Sequence, residues 1–124
     1  MVAGSRIVCI VDDDDGMRSS ARRLLGAYDV ETTGYAFGSD FLSQYRRGQF
    51  GCLVLDIHLP GLSGLDVLAH LRVIANDDIP AIVITGVGDP GLKERALTAG
   101  ASAYLEKPFE AETLVKIVEE LLPR

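Results

Sequence analysis

The stretch Leu53-Val54-Leu55-Asp56 is a short apolar run that ends directly on a carboxylate. Short, nearly continuous apolar runs are typical of strands in a parallel sheet that is buried on both faces. Because ligands of such sheets bind beyond the carboxyl ends of the strands, we expect the residues that end these runs to lie close together. Three further runs have the same form: Val8-Cys9-Ile10-Val11 before Asp12-Asp13, Ile82-Val83-Ile84 before Thr85, and Ala103-Tyr104-Leu105 before Glu106-Lys107-Pro108.

Apolar residues at helical spacing follow each strand, so strands and helices alternate along the chain. The weakest strand is predicted around residues 30–36, where Thr32 and Thr33 suit an edge position. Parallel neighbours need right-handed crossovers, so five strand–helix units predict a doubly wound α/β sandwich around a five-stranded parallel sheet. The apolar positions of the five helices are Met17, Ala21, Leu24, Leu25 and Tyr28; Phe41, Leu42 and Tyr45; Leu65, Leu68 and Leu71; Leu92, Ala96 and Ala99; and Leu114, Ile117, Val118, Leu121 and Leu122.

Two of the helices carry boundary signals. Ser39 or Asp40 is the candidate cap of the second helix. Asp89 followed by Pro90 predicts the cap and the first position of the fourth helix, which Gly100 would close. Two of the three apolar residues of this fourth helix are alanines, so we expect it to be lightly anchored and able to move.

Composition limits the class of protein. The chain has 124 residues, 48% of them hydrophobic, which suits one domain spanning residues 1–124 with its own core. A net charge of −6 argues against nucleic acid as a direct partner of this segment. Cys9 and Cys52 lie in apolar runs and are expected to be small buried residues without a disulfide. We find neither a signal peptide nor a run of about 20 apolar residues, so we expect a cytoplasmic protein without membrane contact.

The aspartates at the strand ends are candidate metal ligands. Asp14 and Asp15 suit a helix N-terminus, where carboxylates oppose the macrodipole. That role does not explain Asp12 and Asp13, which directly follow a buried strand and would lie near Asp56. Like charges this close are costly unless they are protonated or bound to a metal. Because Mg²⁺ prefers a few carboxylate oxygens together with water and phosphate, the sequence predicts a Mg²⁺ site here.

The same strand ends carry groups suited to phosphoryl chemistry. Asp56 can attack phosphorus as a nucleophile and form an acyl phosphate. A metal would neutralise the carboxylate and the phosphoryl oxygens, and Lys107 would add a fixed positive charge. Thr85 would donate its hydroxyl to one phosphoryl oxygen, and Gly86 beside it leaves room for the group. Each signal is weak alone, but their joint placement at the strand ends predicts phosphoryl transfer to Asp56.

Four motifs together resemble the receiver domain of bacterial two-component response regulators. The resemblance covers essentially the whole chain, and the motifs keep the order and the intervals of that family. Residues 82–88 and 104–109 are most similar to receivers of the nitrogen-fixation regulator type, which usually carry a DNA-binding output domain. The motifs are Val11-Asp12-Asp13, Leu55-Asp56 with Pro60 and Gly64, Ile84-Thr85-Gly86, and Glu106-Lys107-Pro108-Phe109.

For the metal site, the resemblance implies that Asp56 is the phosphoacceptor and that Asp13 and Asp56 bind Mg²⁺ directly. Asp12 would act largely through water, and the backbone carbonyl of His58 would complete the site. The side chain of His58 is expected to tune the access of water to the phosphate rather than to bind metal.

For the phosphoryl group, the resemblance implies that Thr85 and Lys107 hold it. Tyr104 matches an aromatic switch position, whose ring turns inward when Thr85 moves toward the phosphate. The face made by the fourth helix and the fifth strand would then change, and we expect this to promote a homodimer. The Lys107–Pro108 bond matches a position that is cis in the family.

The resemblance also implies a flavodoxin-like fold with strand order 2-1-3-4-5. A sensor histidine kinase or a phosphotransfer protein would supply the phosphoryl group, and the face of the first helix with Arg18 and Arg22 is the expected docking surface. Such a domain is a switch, not a turnover enzyme, and it catalyses only its own phosphotransfer and dephosphorylation. Two alternatives stay open for the output: a complete single-domain regulator, or the receiver part of a longer transcription factor.

Two other functions compete with this interpretation. Gly86, Gly88 and Gly91 satisfy the glycine pattern of nicotinamide dinucleotide-binding domains, and Glu106 lies near the expected acidic position. That pattern normally follows the first strand, whereas here too little chain remains after it for the rest of such a domain. An aspartyl-phosphate-type, metal-dependent phosphatase would need a second catalytic acid close to Asp56 and usually a cap, and the sequence offers neither.

Overall fold

The computed structural model describes residues 4–86 and 90–123, in which strands and helices alternate as predicted. Gly88, the middle glycine of the glycine pattern, and Asp89, the predicted cap of the fourth helix, lie outside the described residues. The strands are β1 (Val8–Val11), β2 (Thr32–Tyr35), β3 (Cys52–Asp56), β4 (Ala81–Thr85) and β5 (Ala103–Glu106). The helices are α1 (Asp15–Ala27), α2 (Gly38–Gln44), α3 (Gly64–Ala69), continued by a π-helical segment (His70–Ile74), α4 (Leu92–Thr98) and α5 (Ala111–Leu121).

The five strands form one parallel sheet in the order β2-β1-β3-β4-β5, which confirms the predicted fold. Val11 pairs with Leu55, so β1 and β3 end at nearly the same level. Thr85, the last residue of β4, pairs with Glu106, the last residue of β5. The residues that follow these strands therefore meet at one edge of the sheet.

Apolar side chains cover both faces of this sheet. Every residue of β1, β3 and β4 is buried, as expected for strands covered on two sides, whereas the outer strands β2 and β5 are partly exposed. Alternate strand residues enter two separate clusters. One cluster packs against α2, α3 and α4, and the other packs against α1 and α5, so the molecule is a three-layer sandwich.

The start of α2 differs from the sequence prediction. The helix begins at Gly38, and Phe37, whose side chain cannot accept a hydrogen bond, occupies the N-cap position. Ser39 and Asp40 lie inside the first turn, so the predicted cap is wrong. The first helical residue packs closely against α3, because a Cβ on Gly38 would lie 2.6 Å from a methyl of Val67.

The start of α4 also differs. The helix begins at Leu92, and Gly91 occupies the N-cap with a φ of 85°, in the left-handed region. Pro90 lies in the turn before it, so its predicted place as the first helical residue is wrong. Gly100 follows the end of the helix with a φ of 104°, which confirms it as the closing residue. Leu92 and Ala96 are the two residues that the helix buries.

The structure also tests the predictions for one tyrosine, the two cysteines and membrane-spanning segments. Tyr28 caps the C-terminus of α1 and is 48% exposed, so its predicted place on the apolar face is wrong. Cys9 and Cys52 are free and buried, as predicted, and burial raises the pKa of Cys52 to about 12. Within residues 4–86 and 90–123, no helix has the length and apolar character needed to span a bilayer.

Candidate functional site

Three carboxylates meet at the carboxyl edge of the sheet. One oxygen from each of Asp12, Asp13 and Asp56 lies within 4.8 Å of the others. Asp12 directly follows β1 and Asp56 ends β3, and each of these two residues is only 7% exposed. Asp13 is exposed and opens the group to solvent. Carboxylate oxygens in this number suit Mg²⁺, which keeps water and phosphate oxygens as its remaining ligands.

The run of aspartates divides into two roles. Asp14 is the N-cap of α1, where its side chain accepts a hydrogen bond from the backbone N–H of Met17 at 3.0 Å. Asp12 is fixed by its neighbours, because the backbone N–H of Asp14 donates to its Oδ1 at 2.9 Å and Arg18 donates to its carbonyl oxygen at 2.7 Å. The second carboxylate oxygen of Asp12 is left to face the site.

Lys107 joins two of the carboxylates. Its Nζ lies 3.4 Å from Oδ2 of Asp12 and 3.6 Å from Oδ2 of Asp56. The backbone of Lys107 is held to β4, since its N–H donates to the carbonyl oxygen of Thr85 at 2.7 Å. The peptide bond to Pro108 is cis, as predicted. The cluster of negative charge is therefore partly compensated by one cation that reaches it from the end of β5.

The cluster is electrostatically unfavourable without a further cation. Burial raises the pKa of Asp12 above its ordinary value, and the negative charge of Asp56 raises it further. The hydrogen bond from Asp14 and the positive charge of Lys107 act in the opposite direction, but burial and the like charge prevail. A divalent cation among these oxygens would relieve the strain, so the residues fit the predicted metal.

The loop after β3 holds Asp56 in place. The backbone N–H of His58 donates to Oδ1 of Asp56 at 3.1 Å, and Ile57 extends the ladder by donating to the carbonyl oxygen of Ile84. The chain then turns back, and Gly64 donates to the carbonyl oxygen of Ile57 at 2.9 Å. A Cβ on Gly64 would lie 2.3 Å from the carbonyl oxygen of Asp56, so this close approach requires glycine.

A side-chain contact between His58 and Thr85 was not foreseen from the sequence. The Nε2 atom of His58 lies 3.0 Å from the hydroxyl oxygen of Thr85. Thr85 is fully buried at the end of β4, whereas His58 is exposed and reaches across from the loop after β3. The only signal in the sequence was a polar ring two residues after Asp56. The role predicted for the His58 carbonyl in metal binding stays a prediction.

Tyr104 lies on β5 beside the strand that carries Thr85. It pairs in register with Val83 of β4 and is half-buried. Its side chain packs against the same apolar cluster as Leu92 and Ala96 of α4. Tyr104 therefore lies beside β4 and against the apolar cluster that α4 helps to form, while the switch itself stays a prediction.

A doubly wound parallel sheet with an acidic cluster and a lysine at its carboxyl edge suits a domain that binds a divalent cation and accepts a phosphoryl group. The comparison with protein families agrees, because the model of the response regulator receiver domain matches residues 8–119. The chain belongs to this family, and it is a receiver domain of two-component response regulators.

Two curated relatives are similar over nearly the whole chain. Nodulation protein W of Bradyrhizobium diazoefficiens is 39% identical over 112 residues, which cover 90% of this chain and 49% of that protein. The transcriptional regulatory protein FixJ of the same organism is 33% identical over 115 residues, which cover 93% of this chain and 56% of that protein. The chain thus spans about half the length of the curated relatives it matches.

Solved structures agree with this assignment. The response regulator StyR superposes with a TM-score of 0.86 at 40% identity, covering 94% of this chain and 58% of that one. The chemotaxis protein CheY4 of Vibrio cholerae superposes with a TM-score of 0.85 at 25% identity, covering 95% of this chain and 99% of that one.

The predicted family, fold and general function are confirmed by these matches, and neither alternative is supported. Gly86 follows β4 rather than the first strand, which is the wrong place for a dinucleotide fingerprint. Receiver domains are signalling switches that interact with histidine kinases or phosphotransfer proteins and bind Mg²⁺ at an acidic cluster. The group of Asp12, Asp13 and Asp56 is such a cluster.

Proposed function

We propose that Asp56 is the phosphoacceptor of this domain and that a sensor histidine kinase or a phosphotransfer protein supplies the phosphoryl group. One observation carries the proposal: the Nζ of Lys107 lies beside both Asp56 and Asp12, which share a cluster with Asp13. A nucleophilic carboxylate surrounded by cation-binding groups suits phosphoryl transfer, because charge on the phosphoryl oxygens must be compensated as the bond forms.

In the proposed reaction, a carboxylate oxygen of Asp56 attacks the phosphorus of a phosphohistidine. The new P–O bond forms as the P–N bond breaks, and the donor imidazole leaves and takes up a proton. The domain catalyses this transfer to itself and, with water as the nucleophile, its own dephosphorylation. The backbone N–H of His58 keeps Asp56 aligned through the hydrogen bond to Oδ1.

The remaining groups divide between the metal and the phosphoryl oxygens. Asp13 and Asp56 would hold Mg²⁺ directly, Asp12 would act largely through water, and the carbonyl of His58 would complete the set. When bound, Mg²⁺ neutralises charge on the acceptor carboxylate and on the phosphoryl oxygens. Lys107, already within reach of Asp56, would pair with a phosphoryl oxygen.

We place the exit of the signal on the face formed by α4 and β5. The hydroxyl of Thr85 would move to a phosphoryl oxygen, and the ring of Tyr104 would turn into the space behind it. Tyr104 packs against the apolar cluster that also contains Leu92 and Ala96 of α4, and this supports the route, because a shift of the ring would change the packing of that cluster. The changed face would then promote a homodimer.

The docking face expected around Arg18 and Arg22 stays a prediction, and we propose a second surface for the phosphodonor. Arg18 donates to the carbonyl of Asp12 and pairs with Asp15, and Arg22 donates to Thr32 of β2, so both arginines already have partners within the chain. We place this second surface on the opposite side of α1, at an open apolar cleft of about 510 Å³ that adjoins the site. The cleft lies between α1 and the start of α5 and is lined by Met17, Ser20, Ala21, Leu24, Lys107, Pro108, Phe109, Ala111 and Leu114.

We further propose that residues 1–124 form one receiver domain of a longer regulator. The support is the share of about half that the chain covers in relatives named as regulators, among them a transcriptional regulatory protein. The net charge of −6 favours a segment that does not itself contact nucleic acid.

Labelling tests the central proposal. Incubated with Mg²⁺ and acetyl phosphate, the protein should gain one acid-stable, base-labile phosphoryl group, visible in the intact mass. Asp56→Asn removes the nucleophile while keeping the shape, so the variant should not be labelled. Asp40→Asn, an exposed carboxylate on α2, is the matched control and should be labelled like the wild type. Equal labelling of the Asp56→Asn variant would show that the acceptor lies elsewhere.

A further inference from the structure

The ring of His58 contacts a group that the proposed reaction needs. Its Nε2 atom lies 3.0 Å from the hydroxyl oxygen of Thr85, within hydrogen-bond range. The backbone of His58 is held in place, because its N–H donates to Oδ1 of Asp56 and the next side chain, Leu59, is buried. One exposed residue therefore connects the acceptor carboxylate with the hydroxyl at the end of β4.

This contact competes with the expected role of Thr85. In the tautomer whose Nε2 carries no proton, the ring of His58 accepts the single proton of the Thr85 hydroxyl, and in the phosphorylated domain that same proton would go to a phosphoryl oxygen. Thr85 is fully buried at the end of a central strand, so its side chain has little space to serve both partners at once. Movement of the hydroxyl toward the phosphate thus requires the loss of its contact with His58.

We propose that His58 is a positioning residue that holds the Thr85 hydroxyl in the unphosphorylated protein and thereby weakens the binding of a phosphoryl group. This inference rests on the proposed function of the site. His58 acts through Thr85, so its effect is on the equilibrium between the resting and the activated arrangement. The apparent affinity for a ligand that needs the activated arrangement is the intrinsic affinity multiplied by the fraction of molecules already in that arrangement.

The test compares two replacements of His58. Phenylalanine keeps a planar ring but has no nitrogen, whereas glutamine places an amide at about the same distance and can keep the hydrogen bond to Thr85. Binding of beryllofluoride, a phosphoryl mimic, is measured in the presence of Mg²⁺ by titration calorimetry, because the chain has no tryptophan. A typical net hydrogen bond predicts about three- to tenfold tighter binding to His58→Phe and nearly wild-type binding to His58→Gln.

The same replacement of His58 in the Thr85→Ala variant separates an effect through the Thr85 hydroxyl from other effects of the ring. In Thr85→Ala the hydroxyl is absent, so adding His58→Phe should leave the beryllofluoride affinity unchanged. Unchanged or weaker binding to His58→Phe alone would overturn the proposal, and so would an effect of equal size in the Thr85→Ala background. Thermal unfolding of each variant shows whether the fold is kept, which is expected for an exposed position.

Failure of the inference is distinguishable from failure of the proposed function. If the wild-type protein binds beryllofluoride with Mg²⁺ and Asp56→Asn does not, the phosphoacceptor site stands, and the His58 variants then decide the inference alone. If the wild-type protein does not bind the mimic, the proposed function itself is wrong, and the inference falls with it.

Discussion

The two sides of the site are held very differently. On one side, β1 and β3 are buried throughout, and α3 starts with a capping box in which Ser63 and Asp66 each accept a hydrogen bond from the other's backbone N–H. On the other side, β5 is half-buried and α4 buries only Leu92 and Ala96. The carboxylates are therefore on the rigid side, and the predicted switch is on the lightly packed side.

The difference fits the two tasks of a receiver domain. Phosphoryl transfer needs the acceptor and the cation ligands in fixed positions, because small displacements cost much of the rate. Signalling needs an element with two arrangements of similar free energy. One end of α4 is nevertheless anchored: Arg72 donates to the carbonyl oxygen of Gly100 at 2.8 Å and to that of Asp77 at 2.8 Å. We therefore expect movement of α4 to be greatest at its N-terminal end.

The largest expected effect concerns the charges on the rigid side. Asp13→Asn should reduce Mg²⁺-dependent labelling from acetyl phosphate to background, because a direct metal ligand is lost. The melting temperature without Mg²⁺ should be unchanged or higher, since one charge is removed from a repelling group. Intact-mass labelling and thermal unfolding measure the two quantities on the same sample.

Asp15→Asn serves as the control for this experiment, because Asp15 is exposed in the first turn of α1 and lies outside the cluster. It should be labelled normally. Marked destabilisation of Asp13→Asn together with normal labelling would contradict the metal role and indicate a capping role.

The next largest effect tests how tightly the loop after β3 is packed. Gly64→Ala would put a Cβ 2.3 Å from the carbonyl oxygen of Asp56, so the backbone must shift, at a cost of about 3 kcal/mol in the free energy of unfolding. Gly26→Ala in α1 is the matched control, because a Cβ there has no neighbour within 4 Å among the described residues. It should stabilise the protein by up to about 1 kcal/mol. Urea unfolding of both variants measures their free energies of unfolding. Equal values would refute the prediction that the loop after β3 is tightly packed.

The rigid side is also the part that the sequence predicted best. Buried parallel strands need continuous apolar runs, so the residues that end the runs, such as Asp12, Asp56 and Thr85, mark the edge of the sheet by themselves. The strand order then brings these residues together. In physical terms, the local pattern is strong here because every residue of β1, β3 and β4 is buried.

Sequence reasoning failed where contacts distant in sequence decide the structure. The start of α2 has no side-chain cap, and its first residue, Gly38, lies in close contact with Val67, which is distant in sequence. The contact of His58 with Thr85 joins residues 27 positions apart, and the anchoring of Gly100 by Arg72 spans 28 positions. Side-chain contacts of this kind follow from the packed arrangement of several elements, and periodicity carries no information about them.

A smaller effect is expected on the lightly packed side. Beryllofluoride with Mg²⁺ should raise the sedimentation coefficient toward that of a dimer and increase amide-exchange protection across residues 90–106. Because Arg72 anchors the end of α4 at Gly100, protection should change most in the first turn of the helix. Amides of β1 and β3 should be unchanged, and Asp56→Asn should show no response. An unchanged mass and unchanged protection would place the output on another face.

The smallest effect is the pH dependence of stability that comes from Asp12. Because its pKa is raised in the folded protein, the folded state binds this proton more tightly than the unfolded state does. The contribution of Asp12 to stability therefore decreases as the pH rises from the ordinary value of 3.8 through the raised value, and above that window the charged carboxylate is destabilising. Asp12→Asn keeps the oxygen that accepts the hydrogen bond from Asp14 and removes the charge.

Without Mg²⁺ at neutral pH, Asp12→Asn should melt a few degrees above the wild type. The gain should shrink as the pH falls and should be absent below about pH 3.8, where Asp12 is protonated in both states. Asp40→Asn, with its exposed carboxylate, should show no such pH-dependent difference. Melting curves over a pH series measure the difference in melting temperature between variant and wild type. Taking this difference cancels the acid denaturation that the other carboxylates cause in both proteins. A variant that melts below the wild type at neutral pH would mean that the pairing with Lys107 outweighs burial at Asp12, and that the rigid side of the site is stabilised by its charges.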